Sequence, residues 1–428
     1  MEEKEKKDAK KSRPNLGLFI GGVSVAAVFV SVAGFIAISP NTFTVERADR
    51  VEAGFLGQEE LEGDYGVSDN PNQVAHMATP FAVKAIYMTS CVAGTPSFRE
   101  KLVTLVDETE LNSIIIDIKD YTGRLSFFPD DPKLYSAVSD RCRAPDMKEF
   151  IDYLHKKGIY VIGRITVFQD PYLANLKPEL AVKKASDGSI WKDYKGLSFT
   201  DPGAKDVWEY TVDISRASYS IGFDELNFDY IRYPSDGPMK DIYFPWSNGK
   251  NKADVLESFF SFLRQELSAE GIIISADLFG MTTVAYSGFD LNIGQVLEKA
   301  APYFDYVSPM VYPSHYPSGF NGWGNPNHYP YEVVKYSMDE ALKKLVATTT
   351  TVRVGGAEPI STTTPLIYRK LYFGAERLRP WLQDFDYGGD YDIEEVRAQI
   401  QATYDAGLNS WMLWSPSNVY TRDALLAE

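Results

Sequence analysis

The sequence predicts an α/β protein, a (β/α)8 TIM barrel that is preceded by one N-terminal transmembrane helix and a linker. Three observations predict this architecture. An uncharged apolar run lies near the amino terminus, apolar strand patterns alternate with amphipathic helical patterns after residue 80, and acidic residues recur where those strands end. The chain has 428 residues, and (β/α)8 barrels run from about 200 to more than 400 residues. The length therefore suits one barrel with appendages.

The apolar run covers residues 16–38 and contains only small or apolar residues. A helix of this length, at about 1.5 Å per residue, spans a hydrocarbon core of about 30 Å. The run is longer than the apolar core of a cleaved signal peptide, and Pro40 follows Ser39 at the most plausible cleavage point, so a retained signal anchor is expected. Basic residues precede it at Lys4, Lys6, Lys7, Lys10, Lys11 and Arg13. The positive-inside rule therefore makes residues 1–15 a cytoplasmic tail and predicts a single-pass protein of the cell membrane.

Residues 39–80 follow the span and are rich in Glu, Asp, Gly and Asn, with little hydrophobic periodicity. Such a composition is typical of a linker, which the orientation of the span places outside the cytoplasm. Residues 81–428 are expected to form the barrel, also in the extracytoplasmic space.

Eight strand patterns support the barrel. They cover residues 82–89, 113–120, 160–168, 225–233, 272–279, 306–312, 380–387 and 410–415. Helical patterns lie between them at residues 98–109, 147–157, 204–218, 253–269, 332–345 and 393–406. Asp146 and Asp392 are expected to cap helices at their amino ends, and Gly158, Gly271 and Gly407 to end helices. An open doubly wound sheet is less well supported, because no strand precedes a Gly-x-Gly-x-x-Gly turn.

Composition excludes several functional classes. The net charge of −16 argues against a nucleic-acid partner, because phosphate binding needs clustered Lys and Arg. Cys91 and Cys142 are too few for a zinc site, and they either remain free thiols or pair with each other. The four histidines include no His-x-His pair, and His76 and His155 are expected to be solvated. No metal and no cofactor are therefore expected.

Acidic residues follow several of the strand patterns. Asp117 and Asp120 end the second, Asp229 the fourth, Asp277 the fifth and Asp384 the seventh. The carboxyl ends of barrel strands meet at one face, where active sites lie. Converging carboxyls repel one another and raise at least one pKa, so that one acid can donate a proton while another stays ionised. Glycoside hydrolysis needs such a pair.

Other residues at the same strand ends can bind a sugar. The chain is rich in Tyr (27) and contains seven Trp, and aromatic rings offer flat faces to sugar rings. Arg232 is also expected to hold the Asp229 carboxylate ionised. The candidate substrate-binding residues are Asp117, Asp120, Asn227, Arg232, Tyr312, His315, Trp381, Asp384 and Trp414.

Three segments resemble the putative glycosyl hydrolase domain family, domain of unknown function 4015. They are Ile-Ile-Asp-Ile-Lys-Asp at residues 115–120, Phe-Asp-Tyr-Ile-Arg-Tyr-Pro at 228–234 and Ser-Pro-Met-Val-Tyr-Pro at 308–313. The kinship of this family with α-amylase-type retaining barrels implies that Asp229 is the nucleophile and Asp277 the general acid/base, where α-amylases usually carry Glu. It also implies that Asp384 is the third, transition-state-stabilising acid.

The leading hypothesis is therefore a membrane-anchored, extracytoplasmic glycoside hydrolase that cleaves the O-glycosidic bonds of a polysaccharide, with retention of configuration. The alternative is a catalytically inactive barrel that binds carbohydrate and tethers the cell envelope to glycan, with Trp191, Trp323, Trp381 and Trp414 as stacking faces. A third hypothesis is a polysaccharide-modifying partner of a cell-wall synthesis complex that docks through the linker.

Overall fold

The computed structural model describes residues 74–347, 350–353, 368–371 and 373–427. The predicted cytoplasmic tail, the apolar segment 16–38 and the linker as far as residue 73 lie outside the described residues. Within the described ranges, no helix has the length and apolar character needed to cross a membrane. The membrane anchor therefore stays a prediction.

The described part of the chain forms the predicted closed barrel of eight parallel strands. Each strand pairs with the next in chain order, and the last pairs with the first. The strands are β1 Lys84–Met88, β2 Ser113–Lys119, β3 Tyr160–Thr166, β4 Glu225–Asp229, β5 Ile273–Phe279, β6 Tyr306–Met310, β7 Trp381–Gln383 and β8 Trp411–Trp414. Short antiparallel pairs outside the barrel join Lys183–Lys184 to Ile242–Tyr243 and Thr350–Arg353 to Tyr368–Leu371.

The longer helices lie close to their predicted positions. They are α1 Pro96–Asp107, α2 Met147–Lys156, α3 Lys205–Tyr219, α4 Lys252–Ser268, α5 Pro330–Ala347 and α6 Ile393–Asp405. Shorter helices are Ser90–Ala93, Pro171–Leu176 and Leu297–Ala300.

Most of the predicted helix ends are confirmed. Asp392 forms a capping box with Glu395 at the start of α6. Positive φ angles follow helices at Gly158, Gly271 and Gly407, a conformation that costs glycine little. Asp146 occupies the predicted cap position at the start of α2, but its side chain makes no capping bond and accepts instead from Arg99.

Alternation along the strands separates two apolar clusters. On β1, Ile86 and Met88 belong to the large cluster that also holds the buried faces of the helices, whereas Ala85 and Tyr87 belong to a smaller cluster with residues from facing strands. Side chains alternate between the two faces of a strand, and the second set therefore fills the barrel interior. On β4 the same alternation separates Leu226 and Phe228, which lie in the large cluster, from the polar residues 225, 227 and 229.

The amino-terminal end of the barrel corrects the expectation for two histidines. Asp224 is buried, and it accepts hydrogen bonds from the backbone N of Met77 at 2.6 Å and of Val161 at 2.8 Å. The His155 Nε2 lies 2.9 Å from the same carboxyl group, and the ring of His76 stacks on Tyr219. Neither histidine is freely solvated, because His155 contacts the buried Asp224 and His76 stacks on Tyr219. Both contacts join residues that lie far apart in the sequence.

Cys91 and Cys142 form a disulfide across 51 residues of sequence. It ties the short helix after β1 to the loop that leads into α2. Of the two alternatives left open by the sequence, the structure shows the paired one.

Candidate active site

Arg164 lies at the centre of the polar cluster inside the barrel mouth. Its Nη1 donates to Asp117 Oδ1 at 2.6 Å, and its Nη2 donates to Asp229. Its Nε lies 3.7 Å from Asp277 Oδ2. All of these side chains are at least nine-tenths buried. The structure therefore brings Asp117, Asp229 and Asp277 together around one guanidinium.

Asp229 is the last residue of β4 and accepts hydrogen bonds on both oxygens. Arg164 donates to Oδ2, and the backbone N of Tyr230 donates to Oδ1 at 2.5 Å. Tyr230 has a φ of +52°, which is uncommon for a residue other than glycine and costs on the order of 1–3 kcal/mol. This turn ends the strand four residues earlier than predicted, and it places the Tyr230 ring at the cavity wall.

Asp277 is buried on β5, and the hydrogen bonds that the structure describes for its carboxyl group end on one oxygen. Asn227 Nδ2 donates to Oδ1 at 2.9 Å, and Trp381 Nε1 donates to the same atom at 2.7 Å. Burial raises the pKa of Asp277 well above its usual value, the negative charge of Asp229 raises it further, and Arg164 opposes both. Because both close donors engage Oδ1, Oδ2 is the oxygen that faces Arg164 Nε at 3.7 Å.

Asp117 adds a further carboxyl to the cluster. Burial raises its pKa to about 6, although the charge of Arg164 and a hydrogen bond from Tyr87 Oη act in the opposite direction. The ring of Tyr87 stacks on Trp414 with the centroids 4.1 Å apart. Asp117 is thus held between a cation and a phenol and shares Arg164 with Asp229.

A cavity of about 300 Å³ opens onto Arg164, Asp229 and Asp277. This volume lies at the lower end of the range for small-molecule sites. Apolar and aromatic side chains form much of its wall, at Phe279, Met281, Met310, Tyr312, Tyr316, Trp381 and Trp414. Carboxyls at the base and aromatic faces on the walls suit a sugar ring.

Three predicted substrate-binding residues have specific positions in this wall. Tyr312 is buried, and its ring meets that of His315 edge-on with the centroids 5.3 Å apart. The imidazole Nδ1 of His315 lies 2.9 Å from Ser314 Oγ, and burial lowers the pKa of this histidine. Trp381 is only 1% exposed, so its indole orients Asp277 and offers little stacking surface.

Arg232 and Asp229 interact through their charges, but within the described ranges the ion pair of Asp229 is with Arg164. Arg232 Nη1 donates to the carbonyl of Tyr233 at 3.0 Å. Its guanidinium carbon lies 4.9 Å from the ring centroid of Tyr230 and 4.7 Å from that of Phe279. Arg164 occupies the position beside Asp229 that the sequence assigned to Arg232.

Asp120 and Asp384 lie outside the lining of this cavity. Asp120 accepts from Ser90 Oγ at 3.0 Å and from the Thr122 backbone at 2.8 Å, and with Asp117 it lines a neighbouring cavity of about 480 Å³. Asp384 accepts from the backbone N and hydroxyl of Thr421 at 3.0 and 2.7 Å. Burial raises the pKa of Asp384 to about 6. The family resemblance made Asp384 the third acid of the site. In the structure the third carboxyl around Arg164, beside Asp229 and Asp277, is that of Asp117.

Two tryptophans of the binding-only hypothesis also lie away from the cavity lining. Trp191 is fully buried in a separate cluster with Val182 and Phe199, and Trp323 packs beside Phe320. Among the described residues, no group of three or more His, Cys, Asp or Glu is arranged to hold a metal ion.

Sequence reasoning assigned no role to Arg164 and Tyr87. A usable signal was present for Arg164, because it interrupts the apolar pattern Tyr-Val-Ile-Gly-Arg-Ile-Thr of β3. A charge within a buried strand requires a partner of opposite sign. Tyr87 gave no such signal, since tyrosine is common in strands.

The chain is similar to a protein family and to proteins of known structure. The model of the family described as "Putative glycosyl hydrolase domain" matches residues 85–420. A hypothetical protein of known structure from Ruminiclostridium thermocellum ATCC 27405 is 34% identical, with 45% of this chain and 96% of that chain covered and a TM-score of 0.41. The PgaB (BpsB) glycoside hydrolase domain from Bordetella bronchiseptica is 14% identical, with 81% and 99% covered and a TM-score of 0.54, which shows a shared fold. No curated protein matches the sequence.

Proposed function

Because this chain belongs to the family described as "Putative glycosyl hydrolase domain", we propose that it is a membrane-anchored, extracytoplasmic glycoside hydrolase that cleaves the O-glycosidic bonds of a polysaccharide with retention. One observation carries this proposal. The carboxylate of Asp229 is paired with Arg164, whereas Asp277 is buried beside it with a raised pKa. Glycoside hydrolysis requires one carboxyl that donates a proton and a second that acts as a carboxylate, and the raised pKa of Asp277 and the cation beside Asp229 suit these two roles.

In the proposed first step, Asp277 gives its proton to the glycosidic oxygen as the bond to the anomeric carbon breaks. An oxygen of Asp229 attacks that carbon from the other face and forms a glycosyl ester. In the second step, Asp277 removes a proton from water, and the resulting hydroxyl replaces Asp229 at the anomeric carbon. Both carboxyls return to their starting states.

The coupling between the two acids supports the change in the role of Asp277. The negative charge of Asp229 helps to raise the pKa of Asp277. Formation of the glycosyl ester removes that charge, so the pKa of Asp277 falls and the group becomes a carboxylate that can act as a base. When the ester is hydrolysed, the charge returns and Asp277 is protonated again.

Retention is proposed because one guanidinium reaches both carboxyl groups. Retaining enzymes hold their carboxyls about 5–5.5 Å apart, whereas inverting enzymes leave about 6.5–9.5 Å for a water molecule. Arg164 donates to Asp229, and its Nε lies 3.7 Å from Asp277 Oδ2. The shared guanidinium keeps the two carboxyl groups near each other, as the retaining mechanism requires.

The extracytoplasmic location rests on two independent features. Residues 16–38 have the length and composition of a signal anchor that is preceded by basic residues. The disulfide between Cys91 and Cys142 is the kind of bond that forms and persists in oxidising compartments. Polysaccharides of the cell envelope are available to a barrel in that location.

The test is the release of reducing ends from a panel of envelope polysaccharides by the wild type, Asp229→Asn and Asp277→Asn. Each variant is expected to lose more than about 10³-fold in kcat/KM while its circular dichroism stays unchanged. Asp206→Asn, at an exposed position of α3, is the matched control and should retain full activity.

Full activity in both site variants would exclude this carboxyl pair. Calorimetric binding of a glycan by the wild type, with no release of reducing ends over a long incubation, would favour the alternative of a barrel that only binds carbohydrate.

A further inference from the structure

Arg232 is a buried cation at the cavity wall, and among the described residues it has no carboxylate as an ion-pair partner. It is 8% exposed and lines the same cavity as Asp229 and Asp277. Within the described ranges, no carboxylate lies within 4.0 Å of its guanidinium nitrogens, and the acceptor that it contacts is the Tyr233 carbonyl. A buried charge without a counterion is costly, so such groups are usually paired or serve a ligand.

Aromatic rings hold the Arg232 guanidinium in position. Its central carbon lies 4.9 Å from the ring centroid of Tyr230 and 4.7 Å from that of Phe279. The Tyr230 ring owes its place to the positive φ angle that follows Asp229. A guanidinium fixed in this way loses little freedom when it binds, and its planar fork matches a planar carboxylate with two parallel hydrogen bonds.

We propose that Arg232 binds a carboxylate group of the sugar chain, so that the substrate is an acidic polysaccharide that contains hexuronate. This inference rests on the proposed function, because it assigns a substrate class to the same cavity. Asp229 is not the ion-pair partner of Arg232, because its carboxylate pairs with Arg164 and accepts from the Tyr230 backbone. A sugar carboxylate would supply the missing counterion next to the reacting centre.

The surrounding charges favour a carboxylate over a phosphate. Asp229, Asp236 and Asp193 act on Arg232 from a distance, and Asp193 is held by the backbone N atoms of Lys195 and Leu197. A phosphate monoester would bring close to two negative charges to a cavity that already contains Asp229. A hexuronate brings one, which Arg232 can balance.

The experiment uses matched pairs of oligosaccharides. The panel contains glucuronate, galacturonate and mannuronate oligomers, each with a counterpart in which the carboxylate is reduced to a primary alcohol. Binding is measured by calorimetry with the Asp277→Asn protein, so that the ligand is not consumed, and cleavage is measured separately with the wild type. The same measurements are made after Arg232→Met and Arg232→Lys. Arg422→Met is the control, because Arg422 is a surface residue beside Glu108.

We expect at least one acidic oligomer to bind more than 10-fold more tightly than its reduced counterpart, a preference of about 1.4 kcal/mol. Arg232→Met should abolish this preference by weakening the acidic ligand alone, Arg232→Lys should keep part of it, and Arg422→Met should leave it intact. If Arg232→Met fails to fold by circular dichroism, Arg232→Lys decides the result.

Three results would overturn the inference. They are no binding of any acidic oligomer, equal binding of the acidic and reduced forms, and equal weakening of both forms by Arg232→Met. Cleavage of neutral glycan without any acidic preference would overturn it and leave the proposed function standing. Tight binding of acidic oligomers without cleavage would support the role of Arg232 and overturn the proposed hydrolase function.

Discussion

Arg164 on β3 and Asp229 at the end of β4 form a buried ion pair inside the barrel mouth, and both side chains are 6% exposed. The register of the sheet explains the contact. Arg164 lies opposite Asn227, and Thr166 lies opposite Asp229, so an arginine side chain that extends toward the mouth reaches the last residue of the neighbouring strand. Its remaining donors reach toward Asp117 and Asp277. Arg164 therefore supplies positive charge to all three carboxyl groups of the cluster.

Arg164→Met should impair both activity and folding. Loss of a preorganised donor typically costs about 10²–10³-fold in kcat, and removal of one partner from a buried pair costs about 3–5 kcal/mol in the free energy of unfolding. Arg164→Lys keeps the positive charge but loses the paired N–H donors of the guanidinium. Relative to Arg164→Met, it should therefore regain more stability than activity. Urea denaturation and kcat/KM on a cleaved glycan measure the two effects. An Arg164→Met protein with wild-type kcat would contradict this role.

Trp381→Phe should move the alkaline limb of the pH–kcat/KM profile to higher pH. The indole donates to Asp277 Oδ1 and thereby stabilises the ionised acid, which lowers its pKa. Without that donor, the pKa of Asp277 rises, and the proton donor stays active at a pH where the wild type has lost it. Trp246→Phe, at a partly exposed indole that donates to the Glu179 carbonyl, should leave the limb in place. A limb that moves to lower pH would contradict the assignment of Asp277 as the acid.

Arg379→Met should destabilise the protein without changing its chemistry. Arg379 Nη1 donates to Glu225 Oε2 at 2.7 Å, and both side chains are almost fully buried. Glu225 opens the strand that Asp229 ends, so this pair lies away from the mouth. Removal of the arginine leaves the buried Glu225 without its cation, with Tyr160 Oη at 3.2 Å as a neutral donor, and should lower the free energy of unfolding by about 3–5 kcal/mol.

The double variant Arg379→Met with Glu225→Gln should recover part of that loss, because no buried charge then remains unpaired. The kcat/KM of the folded protein should match the wild type in both variants. A large loss of kcat in protein that remains folded would show that Glu225 contributes to the reaction.

Loss of the disulfide should lower stability moderately. Cross-links that close loops of this length typically contribute about 2–4 kcal/mol, and Cys91 and Cys142 are 51 residues apart. The Cys91→Ser, Cys142→Ser double variant should therefore unfold at a lower urea concentration than the oxidised wild type. Wild type treated with a reductant should match the double variant, and identical midpoints for oxidised and reduced wild type would show that the bond contributes nothing.

The barrel was predictable because strands and helices each carry their own period in the sequence. The candidate site was predictable only in part. Asp229 and Asp277 follow apolar patterns, and the rule that barrel sites lie at the carboxyl ends of strands identified them. Their partners were not predictable, because they depend on the register between strands. Arg232 is near Asp229 in the sequence, yet Arg164 contacts it from the adjacent strand.

Distant contacts also explain the other corrections. Asp146 has the sequence position of a helix cap, but Arg99 from a preceding helix takes its carboxylate. Trp381 is a residue type that often stacks on sugars, but here it is buried on β7 and its indole donates a hydrogen bond to Asp277. No local pattern records either contact.

The most direct test of the proposed carboxyl pair is to label the nucleophile. The wild type, Asp229→Asn and Asp277→Asn are incubated with an activated 2-deoxy-2-fluoro glycoside of the sugar that the wild type cleaves, and intact mass and peptide mapping locate the adduct. We expect one glycosyl group per wild-type chain on the peptide that contains Asp229, and none on Asp229→Asn. An adduct on another residue, or an active wild type that never accumulates one, would contradict Asp229 as the nucleophile.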